Sequence, residues 1–154
     1  MSVFRVRYSL PLILWMLILW VASGAGFSAS HTSSWVEMVW GWFGGSLESD
    51  GLQNLNLVLR KCGHVTAYAI LSGMFLVSAG KSWNVKKNWR LPLGILAIVF
   101  SFVYASIDEW HQSWVMERTS SIADVALDTF GAVLFQLWVA LRRKYDEKRQ
   151  THIL

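Results

Sequence analysis

Long apolar segments with few or no charged residues alternate with polar ones along the chain. Four of the apolar segments lie at about 10–29, 62–79, 91–110 and 122–141. Each is close to the ~20 residues that a helix needs to cross ~30 Å of hydrocarbon. Pro11 and Pro92 fall in the first turns of their segments, where a missing N–H costs little. The pattern predicts a single domain over 1–154, an all-α, polytopic membrane protein with four transmembrane helices.

The first apolar segment also has features of a signal peptide. Arg5 and Arg7 precede the apolar run Leu10–Ala22, and the small residues of "ASGAG" offer a cleavage site. The segment Gly24–Ala29 continues without charge, however, and brings the whole to spanning length. We therefore expect an uncleaved membrane anchor.

A short amphipathic helix is predicted at about 34–43, between the first two spans. Ser34 and Glu37 have the spacing of a capping box. Apolar residues then follow at i, i+3, i+4, i+7 and i+8, namely Trp35, Met38, Val39, Trp42 and Phe43. Such a helix lies in the membrane interface, either as a plain anchor or as a lid over a lipid-facing site.

Composition and charge agree with a membrane protein and indicate its orientation. The chain is 54% hydrophobic with ten Trp and only 16% charged residues, outside the usual soluble range. Eleven of the fourteen Lys and Arg residues fall on one side of a four-pass arrangement, at Arg5, Arg7, Lys81, Lys86, Lys87, Arg90, Arg142, Arg143, Lys144, Lys148 and Arg149. The positive-inside rule then predicts cytoplasmic termini in a multi-pass protein. The net charge of +4 reflects this topology, so we expect no nucleic-acid partner.

Polar residues cluster where the last three spans approach the opposite side. They recur at helical spacing, as Lys61, His64 and Tyr68 in the second span, Ser101, Tyr104, Asp108 and then His111 or Gln112 in the third, and Asp124, Asp128 and Gly131 in the fourth. A carboxylate or imidazole in the bilayer is costly unless it faces protein or water. The spacing therefore predicts one shared, outward-facing polar pocket.

These residues resemble the VanZ-like membrane proteins, a family named for a teicoplanin-resistance protein. The resemblance rests on "K-x-x-H-x-x-x-Y" at Lys61, "D-E-x-x-Q" at Asp108, then Arg118, Asp124 and Gly131. It implies a small four-pass protein of the bacterial cell membrane, with an envelope role that includes a link to glycopeptide resistance. Two positions depart from the pattern, which has asparagine at Asp128 and a small residue at Phe135.

Each polar residue has a structural interpretation beside a functional one. Asp124 either caps the fourth helix with Ser121 or lines the pocket, and Arg118 either pairs with neighbouring acids or binds an anion. His64 is either a general acid or base or a structural partner of Glu109. Gly131 most simply allows close helix contact. We assign proton transfer to His64, Glu109 and Asp108, and ligand binding to Lys61, Tyr68, Gln112, Arg118, Asp124 and Asp128.

Three functional classes remain open from the sequence. The protein is an enzyme acting on a lipid headgroup or envelope precursor, a non-catalytic binding or shielding protein, or, least favoured, a proton-coupled carrier. Membrane lipids and an anionic lipid-linked envelope ligand are the expected partners. We expect no cofactor and no metal, because the acids and His111 match no ligand motif and Lys61 and Arg118 would repel a cation. Cys62 is the only cysteine, so no internal disulfide forms.

Overall fold

The computed structural model describes residues 6–24, 29–42, 49–83, 90–114 and 121–151. These residues form five α-helices and no strand. In chain order the helices are α1 (Val6–Ala22), α2 (Ala29–Trp42), α3 (Ser49–Ser82), α4 (Arg90–Gln112) and α5 (Ile122–Thr151).

Three of the described helices are long and apolar enough to cross a membrane. These spans are Asp50–Ser82 in α3, Leu91–Gln112 in α4 and Ile122–Arg149 in α5. The apolar helix α1 is shorter, with 17 residues, which at 1.5 Å per residue gives about 26 Å. The described residues thus contain three helices of spanning length and one shorter apolar helix, and the count of four spanning helices stays a prediction.

Helix α1 ends earlier than its apolar composition predicts. The expected helix at 10–29 stops at Ala22, and Ala29 already belongs to α2. The N–H of Ser23 still bonds to the Leu19 carbonyl, whereas the N–H of Gly24 bonds to Val21, which tightens the last turn. Glycine disfavours the helix interior, so the chain leaves the helix here.

Two local expectations at helix starts are wrong. Ser34 lies inside α2, because the helix begins at Ala29, so Ser34 and Glu37 do not form a capping box at its start. No proline or glycine separates Ala29 from Ser34, and the helix continues back through this polar stretch. Pro11 lies in the second turn of α1 because that helix begins at Val6, whereas Pro92 falls in the first turn of α4 as predicted.

Interhelical contacts fix the directions of the helices. His64 contacts Asp128, and Ser72 contacts Gln136, so both α3–α5 pairs are separated by 64 residues. A constant separation means that α3 and α5 run in the same direction. Two α1–α4 hydrogen bonds share a separation of 88 residues, so α1 and α4 also run parallel to each other. Between α1 and α3, the bonds run from Trp15–Ala67 to Ser9–Ser78, so the residue number falls along α1 as it rises along α3. These two helices are therefore antiparallel. Helices α1, α3, α4 and α5 therefore alternate in direction along the chain.

The bundle has a small core and an apolar outer surface. Leu12, Tyr68, Leu71, Tyr104 and Ala105 form the larger buried cluster, between α1, α3 and α4. Large apolar side chains elsewhere on these helices are about half exposed, among them Leu10, Leu14, Leu17, Ile95, Phe102, Leu137 and Trp138. In water such a surface would aggregate, whereas in a bilayer it faces lipid.

The bundle has a polar end and a basic end. The polar end is the part where α4 finishes, with Asp108 and Glu109, and α5 begins, with Asp128 in contact with His64 of α3. The basic end is the opposite one, where α5 carries Arg142, Arg143, Lys144, Lys148 and Arg149. Helix α3, with 34 residues, extends beyond its apolar segment at the polar end, and α5, with 30 residues, does so at the basic end.

Candidate polar site at the ends of three helices

A seam between α3 and α5 carries the first part of the site. His64, Tyr68 and Ser72 recur every four residues along α3, and Asp128, Ala132 and Gln136 do the same along α5. Residues at this spacing share one face of a helix. The two faces meet, with Gln136 Nε2 donating to Ser72 Oγ at 2.8 Å and His64 Nδ1 lying 3.1 Å from Asp128 Oδ1.

The close contact of α3 and α5 depends on Gly131. A methyl group built on Gly131 would overlap the backbone carbonyl of Val65. Only glycine leaves room for this approach, which brings Asp128, three residues before it, within reach of His64. The interpretation of Gly131 as a close-contact residue is confirmed by this geometry.

His64 and Asp128 form an imidazole–carboxylate pair. The Asp128 side chain is 3% exposed and that of His64 is 31% exposed. Asp128 contacts Nδ1 through both carboxylate oxygens, at 3.1 and 3.4 Å. Within the described residues, Nε2 of His64 makes no hydrogen bond. A carboxylate on one ring nitrogen orients the imidazole and leaves the other nitrogen to accept or donate a proton.

Asp108 lies beside this pair and is only partly satisfied. It is 4% exposed, and its Oδ2 accepts hydrogen bonds from Tyr68 Oη at 3.4 Å and from Gln112 Nε2 at 3.2 Å. Its Oδ1 is buried and has no hydrogen-bond partner in the part of the chain that the structure describes. A buried carboxylate oxygen without a partner is costly, so this atom is positioned to accept a hydrogen bond from a ligand or a water molecule.

Glu109 joins the end of α4 to the start of α5. It is 7% exposed, and its Oε1 accepts a hydrogen bond from the backbone N–H of Ser121 at 2.5 Å. Ser121 Oγ in turn accepts from the N–H of Ala123, as an N-cap does. In a capping box the acid three residues after the cap takes the cap's own N–H, and here Glu109 takes it in place of Asp124.

The sequence suggested Glu109 as a structural partner of His64 and Asp124 as the capping partner of Ser121. The structure pairs these residues differently. His64 contacts Asp128, while Glu109 bonds to Ser121. Asp124 lies half-buried in the first turn of α5, close to these acids. Lys61 is exposed on α3, and Arg118 lies outside the described residues.

Arg60, which the sequence analysis did not select, lies on the same face of α3 as His64. It lies one turn before His64 on the same α3 face, in the series Asn56, Arg60, His64 and Tyr68. Arg60 is half-buried, and its Nη1 is buried without a hydrogen-bond partner among the described residues. The four-residue spacing would have revealed it if α3 had been extended outward beyond Cys62.

His111 and Cys62 do not join the described cluster. The His111 ring stacks on Trp20 with centroids 4.0 Å apart, and its Nδ1 lies 3.2 Å from Ser23 Oγ, so it links α4 to α1. Cys62 is exposed. Among the described residues, no three His, Cys, Asp or Glu side chains are grouped to hold a metal ion.

Comparison with known proteins bears on the whole bundle. The family model described as VanZ/LLP1 matches residues 8–142, from α1 to the basic end of α5. No significant match was found among curated proteins or solved structures. The matched range covers most of the chain and includes every residue of the polar site.

Proposed function

The chain belongs to the VanZ-like family, and we propose that it binds the headgroup of a lipid or lipid-linked precursor of the bacterial cell envelope at its polar end. The observation that carries the proposal is that two buried polar atoms toward the polar end have no hydrogen-bond partner among the described residues. Asp108 Oδ1 is a buried acceptor and Arg60 Nη1 a buried donor. Each costs free energy in the empty protein and is stabilised by a ligand that supplies the complementary group.

The chemistry of the cluster describes the ligand. Asp108, Glu109 and Asp128 are all buried, so the site is rich in hydrogen-bond acceptors. Hydroxyl or ammonium groups of a headgroup donate to such oxygens. Arg60 offers N–H donors on the outward side of His64. A guanidinium forms strong, charge-assisted hydrogen bonds with an anionic group such as a phosphate. A headgroup that carries both a phosphate and hydroxyl or amine groups fits this combination.

The depth of the cluster agrees with a headgroup. Asp108 lies four residues before the end of α4 at Gln112, about 6 Å along the helix axis. Asp128 lies six residues after the start of α5 at Ile122, about 9 Å along that axis. Groups at these depths lie near the boundary of the hydrocarbon, where headgroups begin, and far from the bilayer centre.

Proton transfer is the part of the proposal that separates an enzyme from a binding protein. His64 is held by Asp128 at Nδ1, which leaves Nε2 to take a proton from a headgroup hydroxyl or to give one to a leaving group. A binding protein needs the same donors and acceptors but no turnover. Envelope roles, including glycopeptide resistance, are compatible with both.

A carrier is less well supported. Buried polar contacts continue from the seam toward the basic end, from Ser72–Gln136 to Ser78–Ser9. These groups are neutral and bond to one another, as polar side chains do when they hold membrane helices together. A proton-coupled carrier would need titratable groups at these positions.

Lipid analysis tests the proposal. The protein is extracted with its native membrane into polymer discs, and the enclosed lipids are compared with the bulk membrane by mass spectrometry. We expect one phosphate-bearing lipid class to be enriched by the unaltered protein, and the enrichment to be lost in Asp108→Asn and Arg60→Gln. Glu37→Gln, an exposed acid on α2, is the control and keeps the enrichment. Equal lipid composition in every disc would refute the proposal.

A second measurement separates catalysis from binding. The enriched lipid is incubated with the purified protein, and its mass is followed over time. A change in headgroup mass that His64→Gln abolishes, with binding retained, assigns the protein as an enzyme. An unchanged lipid assigns it as a binding protein.

A further inference from the structure

A groove of about 640 Å³ lies between α4 and α5 at the basic end, far from the polar site. Its apolar walls include Ile95 of α4 and Val133 and Leu137 of α5. These side chains are 56%, 38% and 53% exposed, so the groove is open sideways. In a bilayer an open apolar groove of this kind is filled by lipid chains.

The floor of the groove has a definite shape. Gln136 donates to Ser72 on α3, and a methyl group built on Gly94 would lie 3.2 Å from Gln136 Oε1. The absence of a side chain at Gly94 therefore leaves space over the amide of Gln136. The groove is a feature of the packing of three helices.

Charged residues line the mouth of the groove in a particular order along α5. Lys144 comes first and Asp146 follows two residues later, about 3 Å further along the axis. Arg143 and Glu147 repeat the order, and both already interact with other groups of the protein. Counting ~20 residues from Ile122 puts the hydrocarbon boundary near Leu141. The cation thus lies at the level of lipid phosphates, and the carboxylate lies just outside it.

We infer that this groove binds a phospholipid whose headgroup carries a phosphate and, outside it, a primary ammonium group. The order of charges matches such a zwitterion, with the phosphate at Lys144 and the ammonium at Asp146. A carboxylate accepts hydrogen bonds from a primary ammonium but not from a quaternary one, which has no N–H. Ethanolamine headgroups therefore fit better than choline headgroups, and a purely anionic lipid would face the acids.

The two ends of the molecule are independent in this respect. The groove is formed by α5 from Val133 onward and by the first turns of α4, and it contains none of the residues assigned to headgroup binding at the polar end. Lipid binding in the groove can therefore be tested independently of the proposed function.

Native mass spectrometry with defined lipids tests the inference. The full protein, delipidated in detergent, is titrated with phosphatidylethanolamine, phosphatidylcholine and phosphatidylglycerol of identical acyl chains. We expect a one-to-one adduct with phosphatidylethanolamine about tenfold tighter than with the other two, the scale of one charge-assisted hydrogen bond. Lys144→Gln and Asp146→Asn should each remove this preference. Arg149→Gln is the control, an exposed charge on the same helix that does not line the groove.

A filled groove provides the second arm. Val133→Trp places an indole in the cavity and should abolish the adduct. If that variant fails to fold, Ile95→Trp fills the groove from α4. Equal affinity for the three lipids, tighter binding of phosphatidylglycerol, or an adduct that survives a correctly folded tryptophan variant would each overturn the inference. Loss of the preference in His64→Gln would also contradict it, because that residue belongs to the polar end.

Discussion

Gly131 of α5 lies against the backbone of α3 at Val65, with no room for a methyl group between the two helices. The seam on either side of this contact is polar, with His64–Asp128 on one side and Ser72–Gln136 on the other. Lipid tails are as apolar as leucine, so membrane helices associate through close packing and hydrogen bonds more than through hydrophobic burial. The glycine contact therefore sets the distance at which both polar pairs form.

Replacing Gly131 with alanine should destabilise the protein strongly. The methyl group would meet the backbone of Val65, which cannot rotate away, so we expect a loss of about 1–3 kcal/mol or more, the usual cost of overpacking. The free energy of unfolding in mixed micelles measures it. Gly63→Ala is the matched control on α3, because no atom lies within 4 Å of the added methyl group. An equal loss in both variants would show that the contact with Val65 is not responsible, because alanine by itself favours a helix over glycine by about 1 kcal/mol.

A second glycine contact makes room for the large side chain of Phe135. A methyl group on Gly73 would lie 2.7 Å from Cζ of the Phe135 ring. The resemblance predicts a small residue at Phe135, and the large ring found there is accommodated by a glycine on α3. Gly73→Ala should cost about 1 kcal/mol, at the lower end of overpacking, because a side chain moves more easily than backbone.

The Gly73–Phe135 pair can be tested by a double-mutant cycle. Phe135→Ala empties the space that Gly73→Ala would fill, so the double variant should be less destabilised than the sum of the single ones. The coupling is measured from unfolding free energies. Additive losses would mean that the ring has another position available.

Glu109 should contribute to folding through the start of α5. Glu109→Ala leaves the partly buried N–H of Ser121 without its acceptor, and we expect a loss of about 1 kcal/mol, the usual value of a helix cap. Glu109→Gln retains a side-chain oxygen and should lose less. Chemical unfolding of the two variants, compared with the unaltered protein, tests this. If Glu109→Ala has full stability, the bond to Ser121 is not a stabilising one.

The orientation of the bundle can be tested by cysteine labelling. In a Cys62→Ser background, a cysteine replacing the exposed Gln53 on α3 should react with an impermeant thiol reagent in intact cells. A cysteine replacing Tyr145, which is 62% exposed at the basic end, should be protected until the cells are opened. The reason is the excess of Lys and Arg at that end. Labelling at Tyr145 and protection at Gln53 would show that the protein has the opposite orientation.

Much of the helical framework could be predicted because hydropathy is a local property. Helix α4 was expected at 91–110 and spans Arg90–Gln112, and α5 was expected to begin at 122 and does so. Helices α3 and α5 extend beyond their apolar segments, to Ser49 and Thr151. Their charged extensions contain good helix formers and hardly any helix breaker, so the helix continues after the membrane ends.

The partners of the site residues could not be predicted from the spacing of residues within single helices. Four-residue spacing shows that His64 and Tyr68 share a face, but not which helix that face contacts or at what height. The partner of His64 follows from the α3–α5 register, which Gly131 sets through a contact 66 residues away from Val65. The bond of Glu109 to Ser121 likewise depends on how α4 and α5 meet.

Accessibility of His64 Nε2 is the most direct test of headgroup binding at the polar end. Diethylpyrocarbonate modifies accessible imidazole nitrogens, and peptide mass spectrometry resolves each histidine. The protein is compared in discs of native membrane and in discs of synthetic phosphatidylcholine, with His111, stacked on Trp20, as the internal control. We expect native lipid to slow the modification of His64 severalfold and to leave the rate of His111 modification unchanged. Equal rates for His64 in the two membranes would contradict it.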